Sequence, residues 1–244
     1  MTPGSPYSRA PIVEALLDIQ VDLPGDFALD TLLKCQQKVK KDYPDRKAAQ
    51  DVTGEISVGR KVSATATSES TGYVFISPDK KQLFQAKRTG FTFNRLAPYP
   101  GWDAFFAEAA KLWEEYRKVS HPRGYKRIAL RYIDRFDFPS PTVQLETYFR
   151  TYPEVSRDLP QLMAGFFFQF NLPIDAIRSV ATITQTAVEP LNPGYSSVIL
   201  DIDLFRTEAL PAGNELLPLF ETLRTWKNTI FESCITDSAR EFIR

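Results

Sequence analysis

The chain has 244 residues, 43% hydrophobic and 25% charged, a composition that excludes extended disorder and supplies a core. Its 30 Lys and Arg balance 30 Asp and Glu, so no global basic excess draws it to a nucleic-acid backbone. Two distant cysteines and a single histidine give no zinc-ligand spacing, and no stretch reaches the roughly 20 apolar residues of a membrane helix.

Residues 1–10 read as a short flexible arm without a signal-peptide pattern, and with so few cysteines the expected location is the cytoplasm. From Ile12 to Leu23 the residues alternate, Val13, Ala15, Leu17, Ile19 and Val21 against Glu14, Asp18, Gln20 and Asp22, which predicts a half-buried strand. Pro24 and Gly25 end it. Asp26 is the expected N-cap of a helix carrying Leu29, Leu32, Leu33 and Val39 and closed by Pro44. Residues 54–96 read as strands and turns, with turn signals at Ser77–Lys80 and Arg88–Gly90 and an exposed edge or loop over Ser63–Gly72. After Gly101 comes a helix with the stripe Phe105, Phe106, Ala109, Leu112, Trp113 and Tyr116, and an expected Glu114–Lys118 pair on its outer side.

The order then begins again. Tyr125–Phe138 predicts a strand ended by Pro139, residues 143–149 a short helix, and 165–172, 180–188 and 197–205 three further strands, the first rich in Phe. Asn214 is the expected cap of a last helix with Leu216, Leu217, Phe220, Leu223, Ile230 and Phe231 inward, Pro218 standing in its first turn. The fold class is therefore α+β: two halves, 1–120 and 121–244, each strand, helix, antiparallel meander, helix. Joined edge to edge they would form one curved sheet with helices on one face, resembling TATA-binding-protein-like or helix-grip folds. The alternatives are two independent small domains, or no repeat at all.

Four motifs, Pro11–Ala15, Phe93–Leu96 with Pro98, Tyr99 and Trp102, Leu130–Arg135, and Phe231-Glu232 with Ile235–Asp237, resemble in order and spacing a sporadically distributed prokaryotic family of unknown function. Where that family has Asn in the Arg-Tyr-Ile-Asn-Arg run, this chain has Asp134. The resemblance implies no reaction. Its patchy distribution implies a regulatory or partner-binding role, defence- or toxin–antitoxin-linked.

The residues themselves exclude most catalytic sets. His121 stands alone beside Pro122, Cys35 and Cys234 suit a core, and phosphate-binding Gly patterns are lacking, so neither catalysis nor a cofactor is expected. Asp134 falls on the apolar face of its strand unless a bulge flips it. It is either a buried acid with a raised pKa or a carboxylate paired to an Arg or to backbone amides. Asp201 and Asp203 share a strand face, either as two ligands of a metal-dependent hydrolase or nuclease, or as partners of Arg131 or Arg135 across the sheet. Arg117, Lys118, Arg123, Lys126, Arg127, Arg131 and Arg135 make a stripe that would contact nucleic acid, unless acids elsewhere neutralise it. Arg95, Tyr99 and Trp102, with Asn94, either anchor a loop or make an aromatic–cation contact set for a ligand. The favoured reading is a non-catalytic binding protein with a protein partner, then a nucleic-acid binder, then a metal-dependent enzyme.

Overall fold

The computed structural model describes residues 7–58, 62–208, 210 and 216–244, with backbone only for 51–58 and 62–69. Residues 1–6 of the expected arm, and the expected cap Asn214, lie outside the described residues.

The strands are β1 (Ile12–Asp22), β2 (Asp45–Val58), β3 (Val62–Ile76), β4 (Gln82–Lys87), β5 (Gly90–Leu96), β6 (Gly124–Phe138), β7 (Phe167–Ile174), β8 (Ser179–Val188) and β9 (Ser196–Arg206). They form one antiparallel sheet in the order β2-β3-β4-β5-β1-β6-β9-β8-β7. The two opening strands, β1 and β6, lie side by side at the centre, with Leu17 opposite Leu130. On either side comes the last strand of that half's meander, β5 or β9, then the one before it. The sheet thus runs unbroken across residue 120, the joined α+β arrangement expected from the sequence. Register shifts in the β1–β6 ladder, between Ile12 and Glu14 and between Gln20 and Val21, mark bulges that bend the centre of the sheet.

Among the described residues, four α-helices accompany it: α1 (Trp102–Ser120), α2 (Leu145–Tyr148), α3 (Leu219–Cys234) and α4 (Asp237–Phe242). The stripe of α1 meets β5, and α3 lies over β6 and β9. They cover the face that carries Ala15 and Leu17 of β1, Phe91 and Phe93 of β5, Ile128 and Leu130 of β6, and Leu200 and Ile202 of β9. Phe75, Phe84, Phe91 and Trp113 run as a chain of mutually tilted rings with centroids 5.3, 5.4 and 5.7 Å apart. Each such fully buried ring contributes about 1.5–3 kcal/mol relative to leaving it exposed.

Several expectations need correction. The helix after Pro24 is a 3-10 segment, Leu29–Gln36, whose N-cap position is Ala28 rather than Asp26. A three-residue turn brings Leu29, Leu32 and Cys35 onto one face, which suits this spacing better than 3.6 does. Of the two readings of residues 63–72, edge or loop, the structure favours the edge: they belong to β3. β3 pairs with β2 along its length but with β4 only from Gly72, so beyond that point β2 and β3 form a two-stranded ribbon. β2 begins at Asp45, well before residue 54. Glu114 pairs with Arg117, not Lys118, because the guanidinium takes both carboxylate oxygens, at 3.2 and 2.9 Å. Lys118 pairs with Glu115 instead. The short helix α4, capped by the Thr236 side chain, is an addition to the expected elements.

Candidate functional site

The open face of the sheet carries only the β6 part of the basic stripe, since Arg117 and Lys118 lie on α1. Arg127, Arg131 and Arg135 alternate with core residues along β6, so all three project to the half-exposed side. Arg127 bridges Asp18 of β1 (3.1 Å) and Asp203 of β9 (2.6 Å), and its guanidinium lies 4.6 Å from the ring centroid of Phe205. Arg131 grips Asp201 through two donors, at 2.8 and 2.5 Å. Arg135 holds Asp137 and Ser197 rather than an acid of β9. Arg117, Lys118 and Lys126 pair with Glu114, Glu115 and Asp22. Of the seven basic residues in the stripe, only Arg123 has no ion pair among the described residues. Asp201 and Asp203 do share a face, but each is engaged by an arginine. Burial raises the Asp203 carboxyl, and Arg127 and Arg131 pull against that shift. Among the described residues no group of three His, Cys, Asp or Glu could hold a metal ion.

Under α3 lies a second polar group. Asp134 is 2% exposed and faces the core, because the bulge falls in β1 opposite and does not flip it. Its opposite charge is Lys227 of α3, not an arginine. Burial pushes the Asp134 carboxyl up to about 7 and the Lys227 ammonium down to about 8, each charge partly offsetting the other's desolvation. Lys227 Nζ sits 3.8 Å from the ring centroid of Tyr132, whose hydroxyl is 2.7 Å from that of Tyr99. The sequence reading misses Lys227, although it occupies the inward stripe of α3 between Leu223 and Ile230. In the same cross-strand row as Asp134, one strand beyond Leu200, Gln185 is buried with neither amide atom hydrogen-bonded.

Arg95, Tyr99 and Trp102 are not brought to one site. Asn94 and Arg95 are consecutive strand residues and point to opposite faces. Asn94 donates to Glu14 on the open face, and Arg95 donates to the carbonyl of Pro98. Tyr99 joins Tyr132, and Trp102 donates to Glu221 of α3 while Arg224 lies over its ring. The group ties α1, α3 and the loop between β5 and α1 together. Beside it is an open groove of about 690 Å³ floored by Tyr43, Phe93 and Phe105. Its charges are largely engaged with one another, Lys111 with both Asp42 and Glu108, and the Tyr43 hydroxyl with Glu108 and Gln82.

His121 is exposed and caps α1 in the left-handed region, φ 45°. Cys35 and Cys234 are buried free thiols, pushed up to about 12 and about 11 by desolvation. Among the described residues no helix is long and apolar enough to cross a membrane.

The surface that stands apart is not one that the motifs single out. Among the described residues, the large hydrophobic side chains left exposed are Leu159, Leu162, Phe167, Leu172 and Leu191, up to 75% accessible at Leu162. All belong to β7 or to loops beside it. The start of β7 pairs with the end of β8, so residue 167 and the β8–β9 loop carrying Leu191 lie at one end of the sheet. β7 is also a free edge. A signal for it is present in the sequence: from Leu159 to Ile174 there are 16 residues without a charge. The other edge strand, β2, opens with Asp45, Arg46 and Lys47. Edge strands are ordinarily protected by such charges.

No protein-family model matches the chain, and no curated protein matches it.

Proposed function

We propose that the chain is a non-catalytic binding protein whose partner is another protein, docked at the apolar end of the sheet around Leu162, Phe167 and Leu191. The observation that carries this is that, among the described residues, the exposed large hydrophobics all fall on an uncharged edge strand or in the loops that adjoin it. Exposed apolar surface gathered in one place is characteristic of interaction sites. A regulatory role, of the defence- or toxin–antitoxin-linked kind that the family resemblance implies, follows from a protein that binds without catalysing. Two buried, unbridged thiols suit the reducing cytoplasm. The nucleic-acid and metal-dependent readings draw less support, because the arginines of the open face are already paired with the acids a metal would need.

The test is affinity capture from the native cell with the tagged full chain, against a Leu162→Asp, Leu191→Asp variant of unchanged circular dichroism. One stoichiometric protein held by the wild type and lost from the variant is expected. Identical capture by both would overturn the docking surface. Nucleic acid released by salt would put the open face in its place.

A further inference from the structure

The free edge of β7 is self-complementary, and we infer that it pairs with β7 of a second copy of this chain about a two-fold axis at Gln169. The inference rests on the binding reading above and names one partner of that edge. The ladder with β8 fixes which backbone groups are free. The Ala187 N–H donates to the Phe166 carbonyl at 3.0 Å, so Phe166 and every second residue after it point their backbone polar groups at β8. Phe167, Gln169, Asn171 and Pro173 point theirs outward, and Pro173, with no N–H, stands where none is needed.

The three outward donors are spaced evenly about Gln169. An antiparallel two-fold there sets Gln169 opposite itself and Phe167 opposite Asn171 of the other copy, and three donors from each strand make six backbone hydrogen bonds. The same register sets Phe168 opposite Phe170 at positions between the hydrogen-bonded pairs, where side chains lie closest. Phe166, Phe168 and Phe170 already stack along the helix-side face, with centroids 6.2 and 5.9 Å apart, so the second copy would continue an existing aromatic row. Charge selects the same occupant. β7 carries none, so the two-fold places no like charges together, and the net charge of zero gives two copies no long-range repulsion. Pairing β7 with the other copy's β2 would set Asp45, Arg46 and Lys47 against apolar residues and would leave an open-ended chain rather than a closed dimer.

Sedimentation of the full chain over a concentration series is expected to show a monomer–dimer equilibrium. Gln169→Lys puts like charges at the axis and is expected to weaken association roughly tenfold or more. The midpoint of the dilute, monomeric chain should be lowered only slightly, by loss of the exposed side chain's hydrogen bond to Thr184. Gln169→Cys faces itself at a Cα separation of about 5.5 Å, so oxidation should give a covalent dimer. Asn171→Cys faces Phe167 and should not cross-link. A chain monomeric at every concentration, a dimer indifferent to Gln169→Lys, or cross-linking at 171 in preference to 169 would each overturn the two-fold. A monomer that still captures a protein through Leu162 and Leu191 would end the two-fold alone. A dimer that captures nothing would end the docking surface alone.

Discussion

Asp134 on β6 and Lys227 on α3 are both buried in the core, each the other's main opposite charge, and both are held away from their ordinary titration ranges chiefly by burial. The folded Asp134 keeps a proton up to about 7 that the unfolded chain releases near 4, so this group's contribution to stability declines as pH rises across that window. The folded Lys227 loses its proton near 8, whereas the unfolded chain keeps it to about 10.5, so stability recovers as pH rises across that second window. The expected profile has a trough near neutral pH. Denaturant midpoints of the wild type and of an Asp134→Leu, Lys227→Met double variant check this. The double variant should lose the trough and be equal in stability or better by about 1–4 kcal/mol at neutral pH. Lys227→Met alone should destabilise, and more at pH 8 than at pH 6, because it leaves the carboxylate buried without its opposite charge. Parallel profiles for all three proteins would refute the coupling.

Gln185 gives a second stability prediction. Both of its amide atoms are buried and without a hydrogen bond. A buried polar group without a partner costs about 1–3 kcal/mol. Gln185→Met keeps the length of the side chain and removes the cost, so a gain of about 1–2 kcal/mol in unfolding free energy is expected. A loss of stability would mean that the amide is satisfied in solution.

Much of the fold is legible in the sequence because its strands obey a period of two over long stretches. β1 and β6 can be read to within about two residues, since Ala15 to Val21 and Ile128 to Phe138 alternate almost without interruption. The 3-10 segment reads as an ordinary helix because Leu29 and Leu32 fit both spacings, and Val39, seven residues after Leu32 and beyond the segment, fits only the 3.6-residue period. The burial of Asp134 follows from strand parity. Its partner does not, because Lys227 is 93 positions away and local periodicity cannot say which helix lands on which strand. The stripe of arginines is visible as a charge run, but its neutralisation depends on β1 and β9 flanking β6, a matter of sheet order.

Gly90 tests the centre of the sheet. A Cβ built there would lie 2.2 Å from the Ile19 carbonyl oxygen, a rigid backbone atom of β1. Gly90→Ala is therefore expected to cost about 2 kcal/mol or more. Gly25, in the turn after β1, has nothing within 4 Å of the same construction, and Gly25→Ala should be neutral or slightly stabilising. Equal midpoints for the two variants would contradict the close approach of β1 and β5.

The paired open face makes its own prediction about nucleic acid. Arg131 and Asp201 are joined by two charge-assisted bonds, with side chains 42% and 13% exposed, so solvent screens much of their attraction. A double-mutant cycle with Arg131→Ala and Asp201→Ala should return a coupling of only about 1 kcal/mol. The consequence for binding is larger than that for stability. An arginine committed to a carboxylate displaces few counterions when a phosphate approaches, so the wild type should show little salt-sensitive retention on single- or double-stranded DNA or on RNA. Fluorescence anisotropy with labelled oligonucleotides, across a salt series, measures this directly. Tight binding that weakens with salt and is lost on Arg127→Ala with Arg131→Ala would mean that phosphate outcompetes Asp18, Asp201 and Asp203. The open face, rather than the β7 edge, would then be the functional surface.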